Sequence, residues 1–293
     1  MRNNPELPLT SMIPPAPEDQ PGHLASSNRE QVPTDEAHRH ASERAFFDAL
    51  ANEDKLKPLS RFVLARYADA GVCYHRELAF KLLGELGGKT VLDVGCGEGE
   101  NLVLLSKFGA RATGLDISPK AIDVARRRCT LNNITAEFIC GAVEHAELDQ
   151  YDVVWIYTLL HHFVDNLEGV LPKLVACTRP GGRIIITEPV SLSPLLRSFR
   201  LKYFAAPVGT PHERPLEPKD IDVIERHVPG FKIRYYRATS RLDRVILPDR
   251  QLESAAWWRV GLFRSLCALD YAALSIPFCH RAASMAVMWG ESE

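Results

Sequence analysis

The stretch Val91-Leu92-Asp93-Val94-Gly95-Cys96-Gly97-Glu98-Gly99-Glu100 restricts this chain more than any other. Apolar β-formers run into three glycines at alternate positions, the pattern of a buried strand entering a tight turn with a helix to follow. Gly95, Gly97 and Gly99 reach backbone angles closed to other residues and, lacking Cβ atoms, let a ligand lie on the main chain. Read as the dinucleotide fingerprint G-x-G-x-x-G from Gly95, the loop has Glu100 where the third glycine is required. A glutamate at that helix start opposes a pyrophosphate, which needs bare N–H groups and positive potential. Asp93, two residues before the first glycine, suits a cation or an ammonium rather than a phosphate.

Three downstream runs belong with this loop. Ala112 to Ser118 is a short apolar run ending in Asp116, near the ~20-residue offset of a carboxylate that binds ribose hydroxyls. Tyr151 to Tyr157 reads as a buried strand, followed by Thr158-Leu159-Leu160-His161-His162-Phe163. Thr178 to Pro189 is a Pro-Gly-Gly turn leading into a strand that ends at Glu188.

The D-x-G-x-G-x-G run looks like motif I of the class I S-adenosylmethionine-dependent methyltransferases. The order and spacing of the other runs resemble the same family, in its small-molecule, type 11-like form, over roughly residues 75–190. The resemblance implies a three-layer α/β sandwich with a mostly parallel, seven-stranded Rossmann-like sheet, and S-adenosylmethionine as cofactor. On that reading Asp93 holds the methionine ammonium, directly or through water. Gly95 and Gly97 lie under the methionine part, Asp116 takes the ribose hydroxyls, and Ile117, Ala142, Val143 and Tyr157 complete the cofactor contacts. Family members often carry an acid where this chain has Ala142; backbone groups of Ala142 and Val143, or Glu144, would read the adenine edge instead. Leu160-His161-His162-Phe163 resembles a variant of the small-molecule members. Because imidazole titrates near neutral pH, His161 or His162 is a candidate general base, and Glu188, ending a strand on the same edge, is a second.

Taken in order, residues 1–36, poor in aromatics and rich in Pro, Glu, Asn and Ser, read as a disordered arm without the apolar core of a signal peptide. Residues 37–73 read as a helical cap, whose Phe47, Tyr67 and Tyr74 either touch ligand or pack. Residues 74–293 read as the methyltransferase domain, with insertions at about 191–216 and 239–283. Ser118-Pro119 is an N-cap followed by Pro at the first helical position. The strand expected at 284–289 pairs antiparallel with the one at 231–236, so the second insertion sits inside a hairpin, where loops are ordinarily a few residues long.

That insertion leaves the ligand edge of the sheet, and its Trp257-Trp258 to Phe278 run is rich in apolar bulk. Ser191 to Ala282 carries 15 Lys/Arg against 9 Asp/Glu. Such a segment suits a lid over an apolar or amphipathic acceptor, or a peripheral contact with an anionic bilayer; a helical pair packed on the fold and a dimer contact are the plainer readings. No stretch approaches the ~20 uncharged residues of a membrane span.

The seven cysteines are scattered and form no C-x-x-C pair, so neither a zinc site nor a disulfide framework is expected, and a reduced, cytoplasmic protein is. A net charge of −2 and the lack of an Asn/Asp-Pro-Pro-Tyr run after the fourth strand argue against nucleic acid. The expected function is methyl transfer to an apolar or amphipathic small molecule (a lipid, quinone-like or natural-product skeleton), by a monomer or homodimer. Two rivals stand beside it: a non-catalytic cofactor-binding scaffold acting at a membrane or partner, and a nicotinamide-dependent oxidoreductase, against which Glu100 argues.

Overall fold

The computed structural model describes residues 35–53, 56–194, 213–247 and 252–292. The arm expected over residues 1–36, but for its last two residues, and most of the insertion expected at 191–216 lie outside them. The unit from Asp35 onward is built on one sheet of seven strands in the order β3-β2-β1-β4-β5-β7-β6.

The strands are β1 (Thr90–Val94), β2 (Arg111–Asp116), β3 (Glu137–Cys140), β4 (Tyr151–Tyr157), β5 (Thr178–Pro189), β6 (Lys232–Tyr236) and β7 (Met285–Glu291). The first five run parallel, and β7 runs antiparallel to both β5 and β6. Central strands covered on both faces lose the polar–apolar alternation of a half-exposed strand. That is why Val91, Leu92 and Val94 of β1, and Val153 to Ile156 of β4, are all buried. One core lies on each face of the sheet: Leu92, Ile156, Leu171 and Ile186 belong to one, and Phe80, Leu105, Trp155 and Ile185 to the other.

The helices are α1 (Asp35–Leu50), α2 (Arg61–Ala68), α3 (His75–Leu83), α4 (Glu100–Lys107), α5 (Pro119–Leu131), α6 (Leu167–Ala176), α7 (Pro218–His227), the short α8 (Asp243–Ile246) and α9 (Trp257–Ala273). Ser118 caps α5 as its sequence implies, its hydroxyl accepting from Ala121 N at 3.0 Å with Pro119 in the first turn. Gly99 takes φ +80 at the start of α4, and a Cβ there would stand 2.9 Å from the Cβ of Ala125, so this glycine lets α4 approach α5.

Between β6 and β7, which pair as an antiparallel hairpin, the chain holds α8 and α9. The described residues of this insertion pack against neighbouring elements. Phe263 and Cys267 of α9 pack on Leu247 and the Cys73–Tyr74 turn, with the Tyr74 and Phe263 rings 5.6 Å apart. Asp270, buried on α9, accepts from the amides of Ala238, Thr239 and Ser240 and from the Thr239 hydroxyl at 2.8–3.0 Å. This carboxylate closes the turn after β6 and pins the helix to that edge of the sheet.

Candidate active site

A cavity of about 260 Å³ opens at the carboxyl ends of β1, β2 and β4, where an open α/β sheet binds its ligands. Of the residues proposed from sequence, Gly95, Gly97, Asp116, Ile117, Ala142, Val143, Tyr157 and His162 line it. Asp93, His161 and Glu188 do not, although His161 adjoins His162 and Glu188 accepts from Leu159 N, both of them lining residues.

The glycine loop is shaped by its contacts. Gly95 N and Cys96 N both donate to Leu115 O, at 2.8 and 3.0 Å, which folds the loop over the end of β2. Gly95 has φ +69, and a Cβ on it would come within 2.7 Å of the Leu159 side chain. Gly97 has φ +50 and faces open space, with nothing within 4 Å of where its Cβ would stand. The loop therefore presents bare backbone to the cavity.

Asp93 lies in register between Gly114 of β2 and Trp155 of β4 and is fully buried. Neither of its carboxylate oxygens has a hydrogen-bond partner. Burial pushes the carboxyl up to about 7, the Asp116 charge adding to the shift and Arg76 opposing it. An unpartnered buried carboxylate is costly, and it marks a position that a cationic group would satisfy. Asp116 is better satisfied: it accepts from Gly97 N at 2.8 Å on one oxygen and from Ser118 N at 2.9 Å on the other. Burial still raises its carboxyl against those amide bonds. One lone pair remains on each oxygen, enough for two neighbouring hydroxyls.

The far wall comes from α1, which contributes His40, Glu43, Phe47 and Leu50. The helix is tied down at both ends. Near its start, Arg39 and His40 both bond Glu144, in the turn after β3. Burial raises the Glu144 carboxyl, but a backbone hydrogen bond at Glu144 itself, followed by His40 and Arg39, outweighs it and holds the group below its ordinary value. Near its end, Asp48 accepts from the Ser118 hydroxyl at 2.6 Å. Glu144, considered from sequence as an adenine acceptor, thus spends one oxygen on α1. Glu43, which sequence reasoning did not single out, is 4% exposed, and its Oε1 has no partner. Burial pushes its carboxyl up to about 7.

The two adjacent histidines have separate environments. His161 Nδ1 lies 2.8 Å from Glu188 Oε2, while Glu188 Oε1 accepts from Leu159 N and Leu160 N, both at 2.7 Å. Glu188, a candidate base from the sequence, does not line the cavity. The carboxylate is fully buried and committed to three donors, so it shapes the turn after β4 and orients His161. Burial pulls the His161 imidazole down, but the hydrogen bond and charge of Glu188 outweigh it and leave the ring raised. His162 faces the cavity, edge-on to Phe47 with ring centroids 5.4 Å apart, and burial beside His161 lowers its imidazole to about 3. Thr158 in the same turn sits at φ +54, a strained angle for a β-branched residue, and lines the cavity.

The apolar wall expected from Trp257–Phe278 is supplied instead by Phe47, Leu50 and Ala51 around α1 and by Phe163. No residue of α9 lines this cavity.

Comparison with known proteins adds four findings. A family model described as a methyltransferase domain matches residues 91–182. A demethylmenaquinone methyltransferase of Tropheryma whipplei is 33% identical over 130 residues, 44% of this chain and 52% of that protein. A ubiquinone biosynthesis O-methyltransferase of Hydrogenovibrio crunogenus is 27% identical over 185 residues, 56% of this chain and 75% of the relative. The chain thus spans about half the length of the first of these relatives. Among solved structures, a phosphoethanolamine N-methyltransferase of Haemonchus contortus in complex with S-adenosyl-L-methionine shares the fold, with a TM-score of 0.51 at 15% identity over 86% of this chain and 60% of that one.

Proposed function

We propose that this chain is a class I S-adenosylmethionine-dependent methyltransferase and that it transfers a methyl group from this cofactor to an apolar or amphipathic small molecule. The observation that carries the reading is the pairing of an unpartnered, buried Asp93 with a glycine loop that leaves bare backbone facing the cavity at Gly97.

The residues fit the cofactor. Asp93 offers two unsatisfied oxygens to the methionine ammonium. Gly95 and Gly97 give the methionine part room against the main chain. Asp116 keeps two lone pairs for the ribose diol, and Ile117, Ala142 and Val143 flank the adenine end of the cavity. When bound, the cofactor supplies a methyl already activated on a sulfonium, so the protein's tasks are positioning and exclusion of water. Phe47, Leu50 and Phe163 provide the apolar wall for that exclusion. An acceptor entering beside them meets Glu43 and His162 first, with the His161–Glu188 pair behind, so this is the side on which its proton leaves.

The acceptor class rests on that wall and on the similarity to methyltransferases named for demethylmenaquinone and ubiquinone biosynthesis. A demethylmenaquinone and a quinone-like phenol are therefore the first acceptors to test, with methyl-labelled cofactor and extraction of the product. Isothermal titration with S-adenosylhomocysteine tests cofactor binding alone. No heat of binding up to millimolar ligand would sink the whole reading, whereas binding without label transfer to either acceptor would sink only the acceptor class.

One observation favours a second, compatible role at a surface. Trp257 is 85% and Phe278 75% exposed, and Trp258, Leu262, Leu269 and Ile276 also face solvent along α9 and the turn after it. With Arg264 and Arg281 beside them, these residues suit the headgroup layer of an anionic bilayer. Sedimentation with anionic vesicles tests the role: recovery unchanged in Trp257→Ser/Trp258→Ser would exclude it.

A further inference from the structure

Outside the cofactor contacts, two separated parts of the chain bring nitrogen and carboxylate ligands together. Donor atoms of His161, His162 and Glu213 all lie within 4.8 Å of one another. His162 Nδ1 stands 3.6 Å from Glu213 Oε2, too far for a hydrogen bond. That spacing fits two ligands that each lie about 2.1 Å from one tetrahedral ion, which separates them by roughly 3.4 Å.

Each member is prepared for such a role. Glu188 already accepts two backbone amides, so its remaining oxygen takes the Nδ1–H of His161. That fixes the tautomer in which Nε2 carries the free lone pair, the arrangement by which a carboxylate orients a metal-binding histidine. His162 is 8% exposed, and its Nδ1 has no hydrogen-bond partner. Glu213 is held near them by its neighbours: Arg214 N donates to His161 O at 3.4 Å, and Leu216 N donates to Pro189 O at the end of β5 at 2.9 Å. Glu43 adds a fourth, buried carboxylate whose Oε1 is unsatisfied and whose charge acts on both Glu213 and His161.

We propose that His161, His162 and Glu213 bind a divalent transition-metal ion, with Glu43 beside it as a further ligand or as acceptor from a metal-bound water. Two imidazoles and a carboxylate favour Zn²⁺, Co²⁺, Fe²⁺ or Mn²⁺ over Mg²⁺ and Ca²⁺, which prefer all-oxygen sites. The ion would sit where the acceptor enters. There it can take the acceptor's oxygen as a ligand and lower that hydroxyl's pKa, so that the proton passes to water or to Glu43. This last role rests on the methyl-transfer reading; the metal site does not. The sequence offered no ligand-spaced motif for it, because only the tertiary fold brings Glu213 to the histidine pair.

The second cluster of ligand type, Glu36, His40 and His145, serves as control, since its His145 and Glu36 side chains are largely solvated. The test uses untagged full-length protein, stripped with chelator and titrated with Co²⁺ while visible absorption and binding heat are recorded. The expected result is one equivalent bound with d–d bands of a four- or five-coordinate ion. His162→Ala and Glu213→Gln should each weaken binding by more than about tenfold, and His145→Ala should leave it unchanged. Absence of binding up to millimolar Co²⁺, equal binding by the His162 and Glu213 variants, or loss in His145→Ala would each overturn the site. Should His162→Ala fail to fold, Glu213→Gln decides alone. Titration with S-adenosylhomocysteine runs in parallel: a protein that binds Co²⁺ as described but no S-adenosylhomocysteine refutes the methyl-transfer reading, and the converse refutes only the metal.

Discussion

Asp48, two residues from the end of α1, accepts a hydrogen bond at 2.6 Å from Ser118, the residue that caps α5. The same Oδ1 lies 3.3 Å from Lys120 N. A carboxylate at a helix N-terminus is favoured by the helix dipole, so this contact draws the cap helix onto the segment that also carries Asp116 and Ile117. The element that covers the cavity is thereby fastened to the segment that brings Asp116 to the cavity.

Asp48→Ala should loosen α1 without unfolding the sheet. Ser118 keeps its own bond to Ala121 N, so α5 stays capped. A hydrogen bond to a charged group contributes about 1.5–3 kcal/mol, and S-adenosylhomocysteine affinity is expected to fall roughly tenfold, the equivalent of about 1.4 kcal/mol. Calorimetric titration reads the change directly. An unaltered affinity would mean that the Arg39–Glu144 contact alone positions the helix.

If Asp93 meets the methionine ammonium, cofactor binding is expected to be proton-linked. The Asp93 carboxyl is raised from 3.8 to about 7 in the folded chain. Between those values the native state holds a proton that the unfolded chain has lost, so this group's contribution to stability falls as pH rises through that window. An ammonium placed beside it favours the ionised form and releases the proton. Titrations with S-adenosylhomocysteine at about pH 6, in two buffers of different ionisation enthalpy, should therefore give different observed heats. In Asp93→Asn the difference should vanish and affinity should drop. Equal heats for the unmodified protein would show that Asp93 does not meet the ammonium.

Gly97→Ala separates the loop's two requirements. No atom obstructs the new methyl, so the fold should survive with a small loss for a non-glycine residue at φ +50, about 1 kcal/mol. The methyl would stand in the cavity, however, and S-adenosylhomocysteine affinity should fall by more than about tenfold. Gly95→Ala instead drives a Cβ to 2.7 Å from Leu159 and should lower the melting temperature as well. If the two variants behave alike, the cavity is not where the cofactor lies.

Glu188→Ala should destabilise more than its distance from the cavity suggests. It leaves the amides of Leu159 and Leu160 without their acceptor, and a buried unsatisfied donor costs about 1–3 kcal/mol. Denaturant unfolding is expected to show a loss of about 3 kcal/mol. Glu188→Gln, whose side-chain oxygen can still accept the amides, should recover part of it. Indifference of both variants would mean that the turn after β4 is held by the Thr158 N–Thr187 O bond instead.

The parts of this protein legible in its sequence are those governed by local physics. Apolar runs at Val91, Tyr151 and Ile184 had to be central strands, because a segment without polar alternation needs cover on both faces. Ser118-Pro119 could be read as a helix start, since a cap is satisfied within four residues. The alternate glycines announced a loop against a ligand, because no other residue takes those angles cheaply. What remained open depended on contacts between distant residues. Glu43 and Asp48 sit on a helix with charges on every side, and no periodicity tells which charge turns inward; Ser118 and Glu144 decide it. His161 and His162 are neighbours of one type, yet one faces the cavity and the other is held by Glu188 from β5, a choice made across the sheet. The aromatic insertion looked like a lid because it leaves from the ligand edge. Its position was fixed by Asp270 satisfying three amides after β6, a long-range pairing that no local pattern encodes.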